Sequence, residues 1–457
     1  MSAAAISLPK DVAWLLRQLN RAGYPAYVVG GCVRDSLLGR TPGDWDICTG
    51  ALPEQTRTVF AGQRLLLTGL KHGTVAVVLA GKPYEITTFR VDGAYADHRH
   101  PDAVCFVPGV EQDLARRDFT VNAMAWHPDS GLVDCFGGQR DLQARVIRCV
   151  GDPDARFAED ALRILRAIRF AAQLDFSIDP ATEAAAQRLR NTVQTVSEER
   201  IFAELDRLLN SPAAGRVLER YGRILAGAIP EVDPCIGCTQ PGKWHCYDVW
   251  QHTAVAVGAV QQDQDPGTRR ILRWTTLLHD MAKPLCRVEG ADGAAHFPGH
   301  NQRGARLADA ILRRLKAPNA LRQEVVSLVG VHDAPLPDTE PEILRLLGQH
   351  GESWLARLCA VKQADLDAHA ANAAVAARRA EVDSFAARMH RLARTGCYSL
   401  RQLKVGGGDA LSAGIRPGPA VGQALDTLLQ RVMTGTLSNE RPALLAALAD
   451  LAQNTPQ

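Results

Sequence analysis

The stretch YVVGGCVRDSLLGRTPGDWDICT, residues 27–49, brings together an apolar strand, two glycines, a helix start and two aspartates. Its β-branched run ends at Gly30-Gly31, and a helix is expected to begin at Cys32-Val33-Arg34. Glycines let a ligand approach the backbone, and the helix start behind them offers free N–H groups to phosphate, with Arg34 adding charge. A Thr-Pro-Gly turn then leads into Asp44-Trp45-Asp46. On a strand, residues i and i+2 share a face, so Asp44 and Asp46 are expected to project side by side. Adjacent carboxylates repel unless a cation sits between them, and Mg²⁺ takes one or two carboxylates together with waters and phosphate oxygens. Asp-x-Asp by itself is more often a solvated acidic turn; the double glycine, Arg34-Asp35 and the spacing turn the balance toward a site.

Around this stretch, residues 24 to about 150 alternate short apolar runs (AYVVGG, GTVAVVLA, YEITTF, AVCFV, GLVDCFGG) with turns, which predicts a mixed α/β unit. From about Asp152 onward, Ala, Leu and Arg-rich stretches with apolar positions three and four apart predict helices almost to the end. Breaks in PEVDPCIGCTQPGKW divide the helical part, and an Ala- and Arg-rich helix is expected from about Ala364 to Ala393. With 457 residues, two to four domains are expected. The net charge is only +2, so a nucleic-acid partner would have to be met by local basic patches. Eleven cysteines, an odd and scattered set, do not suggest a disulfide framework. The first residues read as an amphipathic helix rather than a secretory signal, and no apolar run reaches membrane-spanning length; a cytoplasmic protein without a membrane partner is expected.

The GG-x-x-R-D-x-L-L-G…D-x-D pattern resembles the nucleotidyltransferase superfamily that includes DNA polymerase beta, and more closely the class II tRNA nucleotidyltransferases. Further blocks follow in that family's order: TGLKHGT at 68–74; YEITTFRVDGAYADHRHPDAVCF, with Arg90, Tyr95, Asp97 and Arg99; and DLARRDFTVNAMA. The resemblance implies Glu85 as a third catalytic carboxylate beside Asp44 and Asp46, and a flexible loop that CC-only enzymes tend to lack. It further implies that Arg116, Arg117, Asp118 and Asn122 bind ribose and triphosphate, alongside Gly30, Gly31 and Arg34. Arginines suit phosphate through bidentate hydrogen bonds, and an asparagine suits a ribose hydroxyl. Asp134 with Gly137-Gly138 is expected as a hinge into the helical part.

In EDALRILRAIRF, Asp160 and Arg163 fall at i and i+3, expected on one face of a helix, where an acceptor and a donor can read a base edge. They match the family's ED-x-x-R template, and Arg166 and Arg169 match positions contacting the nucleotide. At about 100° per residue, however, Arg169 lies half a turn from Asp160, so it reaches phosphate from the side or serves packing. Glu198 and Arg200 are expected to support the template.

Farther on, His252, His279-Asp280, His300, His332 and Asp365 form an ordered series of metal-ligand types on separate helical stretches. It resembles the HD phosphohydrolases, which implies His252, His279, Asp280 and Asp365 as core ligands and His300 and His332 as the dinuclear extension, with a divalent transition metal possible there. Cys235 and Cys238, with His245 and Cys246 nearby, depart from zinc-site spacing and read as a structural loop. In the tail, Lys404, Arg416 and Arg431 are candidate phosphate contacts.

The resemblance thus implies an α+β protein: a polymerase-beta-like head with a mixed sheet at 1–150, then an elongated all-helical neck at 151–235, an HD body at 245–370 and a tRNA-binding tail at 371–457. It implies Mg²⁺-dependent addition of CCA to tRNA from CTP and ATP. The alternatives are a poly(A) polymerase or A-adding enzyme, an HD metallo-phosphohydrolase with an RNA-binding front half, or a silent tRNA-binding protein. Oligomeric state is open.

Overall fold

The computed structural model describes residues 6–92, 104–262, 264–291 and 293–454. Tyr95, Asp97 and Arg99 lie outside the described residues. Two compact units are formed: one runs to Asp233 and takes in Arg314–Ala317, and the other comprises Pro234–Arg313 and the chain from Pro318 on.

The first unit opens with α1 (Lys10–Arg21), whose buried Val12, Leu15, Leu16 and Leu19 recur at helical spacing. Next come β1 (Ala26–Val29), α2 (Gly31–Leu37), β2 (Asp46–Thr49), α3 (Pro53–Val59), β3 (Arg64–Leu66), β4 (Thr74–Leu79) and β5 (Lys82–Thr88). The stretch AVCFV, expected as one more strand, contributes β7 (Val104–Phe106), which among the described residues pairs with β6 (Arg90–Asp92) apart from the main sheet. After α4 (Val110–Ala115), β8 (Ala125–His127) and β9 (Gly131–Val133) complete a mixed sheet of order β3-β4-β5-β2-β1-β8-β9. Its parallel pair is β2–β5, with Ile47 opposite Ile86. Asp46 and Glu85 immediately precede the paired Ile47 and Ile86, respectively, and both are exposed. Val29, Cys48 and Phe89 pack on Val110 and Leu114 of α4, fixing the sheet end that carries the aspartates.

Helices α5 (Gly138–Ala144), α6 (Pro153–Glu159), α7 (Leu162–Leu174), α8 (Pro180–Arg188), α9 (Glu198–Leu209) and α10 (Ala214–Leu225) complete this unit. At the glycine pair expected as a hinge, the structure shows close packing. Asp134 caps α5 by accepting from Gly138 N at 2.7 Å and Gln139 N at 2.9 Å. A Cβ on Gly138 would lie 2.3 Å from the Thr120 carbonyl oxygen. Gly138→Ala is therefore expected to destabilise the unit by about 1–3 kcal/mol, an overpacking cost. Urea unfolding followed by tryptophan fluorescence reads this as a lower midpoint; an unchanged midpoint would mean the Thr120 turn yields freely.

The second unit is mainly helical: α11 (Val249–Ala259), α12 (Pro266–Leu278), α13 (Lys283–Cys286), α14 (His300–Arg314, whose last residue joins the first unit), α15 (Asn319–Val331), α16 (Glu340–His350), α17 (Glu352–Asp367), α18 (Ala373–Thr395), α19 (Gly407–Ser412), α20 (Pro419–Met433) and α21 (Arg441–Asn454). The single helix expected over about 364–393 is two. α17 stops at Asp367, and Asn372 starts α18 by accepting from Val375 N at 3.0 Å. An asparagine at a helix start outweighs the propensity of the alanines around it. Among the described residues, no helix is long and apolar enough to cross a membrane.

Candidate active site and candidate metal centre

Gly30 turns the chain out of β1 with φ +81°, a left-handed conformation that favours glycine. A Cβ there would also lie 3.0 Å from Arg117 Nη1, so Arg117 is seated directly on the turn. α2 begins at Gly31, one residue earlier than expected. From it the buried Arg34 donates to Asn122 Oδ1 at 2.6 Å and to Asp35 Oδ1 at 2.8 Å. Asn122 Nδ2 donates to Asp118 Oδ1 at 3.2 Å, and Arg166 grips Asp118 Oδ2 at 2.8 and 2.5 Å. Arg34 and Arg166 also stand 5.3 and 5.4 Å from the Phe170 ring centroid. Gly30, Gly31, Arg34, Arg117, Asp118, Asn122 and Arg166 are thus gathered in one neighbourhood.

Asp44 was expected on the same strand as Asp46; β2 in fact begins at Asp46, and Asp44 precedes it. The shared face survives because Trp45 is buried between two exposed carboxylates. Asp46 meets solvent at its surface, yet the protein packed around it raises its pKa; Arg117 opposes that shift and the charge of Asp44 adds to it. An acidic group whose pKa is raised in part by a second carboxylate beside it, with Glu85 close by on β5, suits a cation.

Burial alone would raise the Asp118 carboxyl, but Arg166 and Asn122 hold it down to about 2. Because this is below its ordinary value of 3.8, Asp118 stabilises the fold above about pH 4. That contribution, about 2 kcal/mol, is lost as pH falls toward 2. Asp118→Asn is expected to remove it. The stability gap between the two proteins in urea should therefore narrow from pH 6 to pH 3; a gap constant with pH would contradict the assignment.

The template pair is arranged differently from expectation. Asp160 is not on a helix face with Arg163: α6 ends at Glu159, Asp160 is extended (φ −142°, ψ 102°), and α7 starts at Leu162. Asp160 Oδ1 accepts from Leu162 N at 3.1 Å, a local side-chain bond that holds Asp160 ahead of the helix. Its Oδ2 accepts from Arg200 Nη2 at 3.0 Å. Arg163 donates to Glu159 Oε2 at 2.6 Å and to the Arg116 carbonyl at 3.1 Å. Arg169 is buried, paired with Glu204, bonded to Gln173 at 2.6 Å and stacked on Phe170. Glu198 is half-buried and faces Lys316 at 3.6 Å. Sequence reasoning missed Glu204, Phe170 and Asp113. Its one available signal was that buried arginines demand carboxylates.

In the second unit the whole histidine and aspartate series converges. His252, His279, Asp280 and Asp365 form one group of possible metal ligands, and Asp280, His300 and His332 form another, with Asp280 common to both. The Nδ1 atoms of His252, His279, His300 and His332 pair with the carbonyls of Ala368, Thr276, Phe297 and Val329 at 2.7–3.1 Å. Bonds of that kind fix the tautomer and leave Nε2 for a ligand. His279 Nε2 and both Asp280 oxygens are buried without a well-aligned hydrogen bond, the Lys283 ammonium standing 2.7 Å from Asp280 Oδ2, so the residues fit divalent metal. Burial would raise Asp280, but His279 and Lys283 hold it well below the usual carboxylate range. Among the described residues no cysteine joins a metal-ligand group; Cys235 is buried against Met281. In the tail, Lys404 pairs with Glu440 at 2.8 Å.

The chain matches three family models: the poly A polymerase head domain over residues 26–148, a probable RNA- and SrmB-binding site of polymerase A over 175–234, and a putative tRNA nucleotidyltransferase domain 2 over 304–448. It is 33% identical to the CCA-adding enzyme of Levilactobacillus brevis over 95% of this chain and 96% of that one. With the CCA-adding enzyme of Geobacillus thermodenitrificans it shares 46% identity over half of this chain and 55% of the relative's length. Its fold is similar to the crystal structure of the Bacillus stearothermophilus CCA-adding enzyme in complex with CTP, at TM-score 0.69 and 31% identity over 97% of each chain. The head fold, the gathered glycines and arginines and the full-length relatives agree: the chain belongs to the CCA-adding enzyme and poly(A) polymerase family of nucleotidyltransferases.

Proposed function

We propose that this enzyme adds CCA to the 3′ end of tRNA from CTP and ATP by two-metal nucleotidyl transfer. The observation that carries this reading is one neighbourhood in the first unit, where Arg117 both seats on the Gly30 turn and influences Asp46. Asp44 and Asp46, with Glu85 beside them, would hold divalent cation, with Mg²⁺ the species proposed. When bound it supplies positive charge to the triphosphate and the departing pyrophosphate. Arg34, Arg117 and Arg166 bind and orient phosphate, and Asn122 the ribose. The tRNA 3′ oxygen forms its bond to the α-phosphorus as the bond to pyrophosphate breaks, and its proton passes to solvent. Asp160 offers acceptors and Arg163 donors to the Watson–Crick edge of C or A; U and G leave those groups unpaired, a cost of about 1–3 kcal/mol each. Arg200 and Glu159 hold the two in place.

The test offers tRNA transcripts ending at the discriminator base, C or CC to the enzyme with CTP, ATP or both, and sequences the products. Stepwise C, C and A are expected. Long A tails point to a poly(A) polymerase, A on CC ends alone to an A-adding enzyme, and no extension refutes the reading.

A second activity has its own observation, the two ligand groups sharing Asp280. We propose a divalent-metal phosphohydrolase centre of HD type there, beside a cavity of about 950 Å³.

A further inference from the structure

Asp113, on α4, is fully buried, and the catalytic reading gives it no role. Its Oδ1 accepts from Arg116 Nε at 3.0 Å and Nη2 at 2.8 Å, and from the backbone N of Arg90 at 3.4 Å. Its Oδ2 accepts from Arg117 Nη2 at 3.1 Å. Three structures therefore end on one carboxylate. Arg90 opens β6, the first strand of the hairpin. Arg117 seats on the Gly30 turn. Arg116 donates to the Arg90 carbonyl at 3.1 Å, while its own carbonyl accepts from Arg163 of the template pair at 3.1 Å.

Arg117 depends on this arrangement. Among the described residues, Asp113 is the side chain that bonds its guanidinium, and its buried Nε has no partner. A guanidinium held by one edge keeps its remaining donors for a ligand, and a single buried acceptor decides where they point.

We propose that Asp113 is a positioning residue for nucleotidyl transfer: it aims Arg117 at the triphosphate and ties that aim to the base of the β6–β7 hairpin. The proposal rests on the nucleotide-binding role given to Arg117. It assigns Asp113 no contact with substrate; its effect passes through the two arginines. Because the tie does not distinguish bases, it acts equally on CTP and ATP. A bond from one carboxylate to both Arg117 and Arg90 also means that phosphate pulling on Arg117 is felt at the hairpin base.

The experiment is steady-state kinetics of the full chain on tRNA transcripts, with CTP on discriminator ends and ATP on CC ends. The proteins are wild type, Asp113→Asn, Asp113→Glu, Arg117→Ala and the Asp113→Asn/Arg117→Ala double variant. Asp113→Asn is expected to raise KM for both nucleotides about 10-fold with kcat within about 2-fold, the pattern of lost binding rather than lost chemistry. Asp113→Glu keeps the charge but displaces the guanidiniums by one methylene, and a similar KM rise is expected; it carries the test if the Asn protein does not fold. In the double variant, the KM effect should not exceed that of Arg117→Ala alone, because both changes remove one interaction. Multiplying KM effects, or lower thermal stability with unchanged KM in both Asp113 single variants, would make Asp113 a structural residue and overturn the proposal. If Arg117→Ala itself leaves KM unchanged, the nucleotide-binding role of Arg117 fails first, and this inference with it.

Discussion

Asp44→Asn and Asp46→Asn are each expected to slow transfer from CTP by about 10⁴-fold, about 5.5 kcal/mol of transition-state stabilisation. The fold should hardly notice. Both side chains are exposed, and among the described residues neither accepts a hydrogen bond from protein. What anchors this segment is the buried Trp45 and the antiparallel pairing of Asp46 with Val29, which asparagine preserves. Each substitution also removes a repulsion, because Asp44 raises the pKa of Asp46. Thermal midpoints should therefore stay level or rise slightly while activity collapses. Opposite movement of stability and rate is the mark of a residue placed for a ligand.

Single-turnover extension of a discriminator-ended transcript measures the rate, and a thermal melt measures the fold. Glu85→Gln in the same series decides whether the register neighbour of Asp46 is a third ligand. A loss near 10³-fold or more would place it in the set; a loss under 10-fold would leave two. Should Asp44→Asn and Asp46→Asn each lose less than 10-fold across a range of Mg²⁺ concentrations, the cation-holding role is wrong.

The Gly30-Gly31…Asp44-x-Asp46 pattern was legible because every member is local: a strand, a turn and an alternating pair fit within residues 27–49. The convergence of the histidine and aspartate series was legible for another reason: its members are scattered, but His and Asp in an ordered run across helices have few other uses. Spacing could not show that Asp160 lies ahead of α7 and bonds Leu162 N instead of riding on the helix, since both arrangements look the same in sequence. Long-range pairing was equally hidden. Glu85 comes beside Asp46 only through the parallel β2–β5 register, and Glu204 reaches Arg169 only once α9 packs on α7. Asp113 was overlooked because a buried carboxylate within DLARRD reads as one more charge on a surface helix. Alanine content similarly concealed the break at Asn372.

Asp280→Asn is expected to empty the second unit of metal while tRNA extension stays within about 2-fold of wild type. The two Asp280 oxygens are divided between the two ligand groups. Oδ2 faces His279 Nε2 at 3.2 Å, His252 Nε2 at 3.6 Å and Lys283 Nζ at 2.7 Å. Oδ1 faces His300 and His332 Nε2 at 3.6 Å each. One carboxylate thus serves both ligand groups, whereas Asp365 serves only the first and His332 only the second. An asparagine keeps the shape, removes the negative charge and presents N–H where a ligand oxygen was, so both groups fail together. After loading the purified full chain with Mn²⁺ and desalting, bound metal should be about two per chain in wild type. It should fall to about one in Asp365→Asn or His332→Ala, and near zero in Asp280→Asn. Phosphate release from p-nitrophenyl phosphate should vanish with it. Stability is expected to fall as well, by about 3–5 kcal/mol, because Lys283 loses its buried partner. The head residues lie in the other unit, so extension is the internal control. If Asp280→Asn retains one tightly held ion, the carboxylate is not shared and the two groups are independent; if wild type binds none, the metal reading of this cluster is wrong.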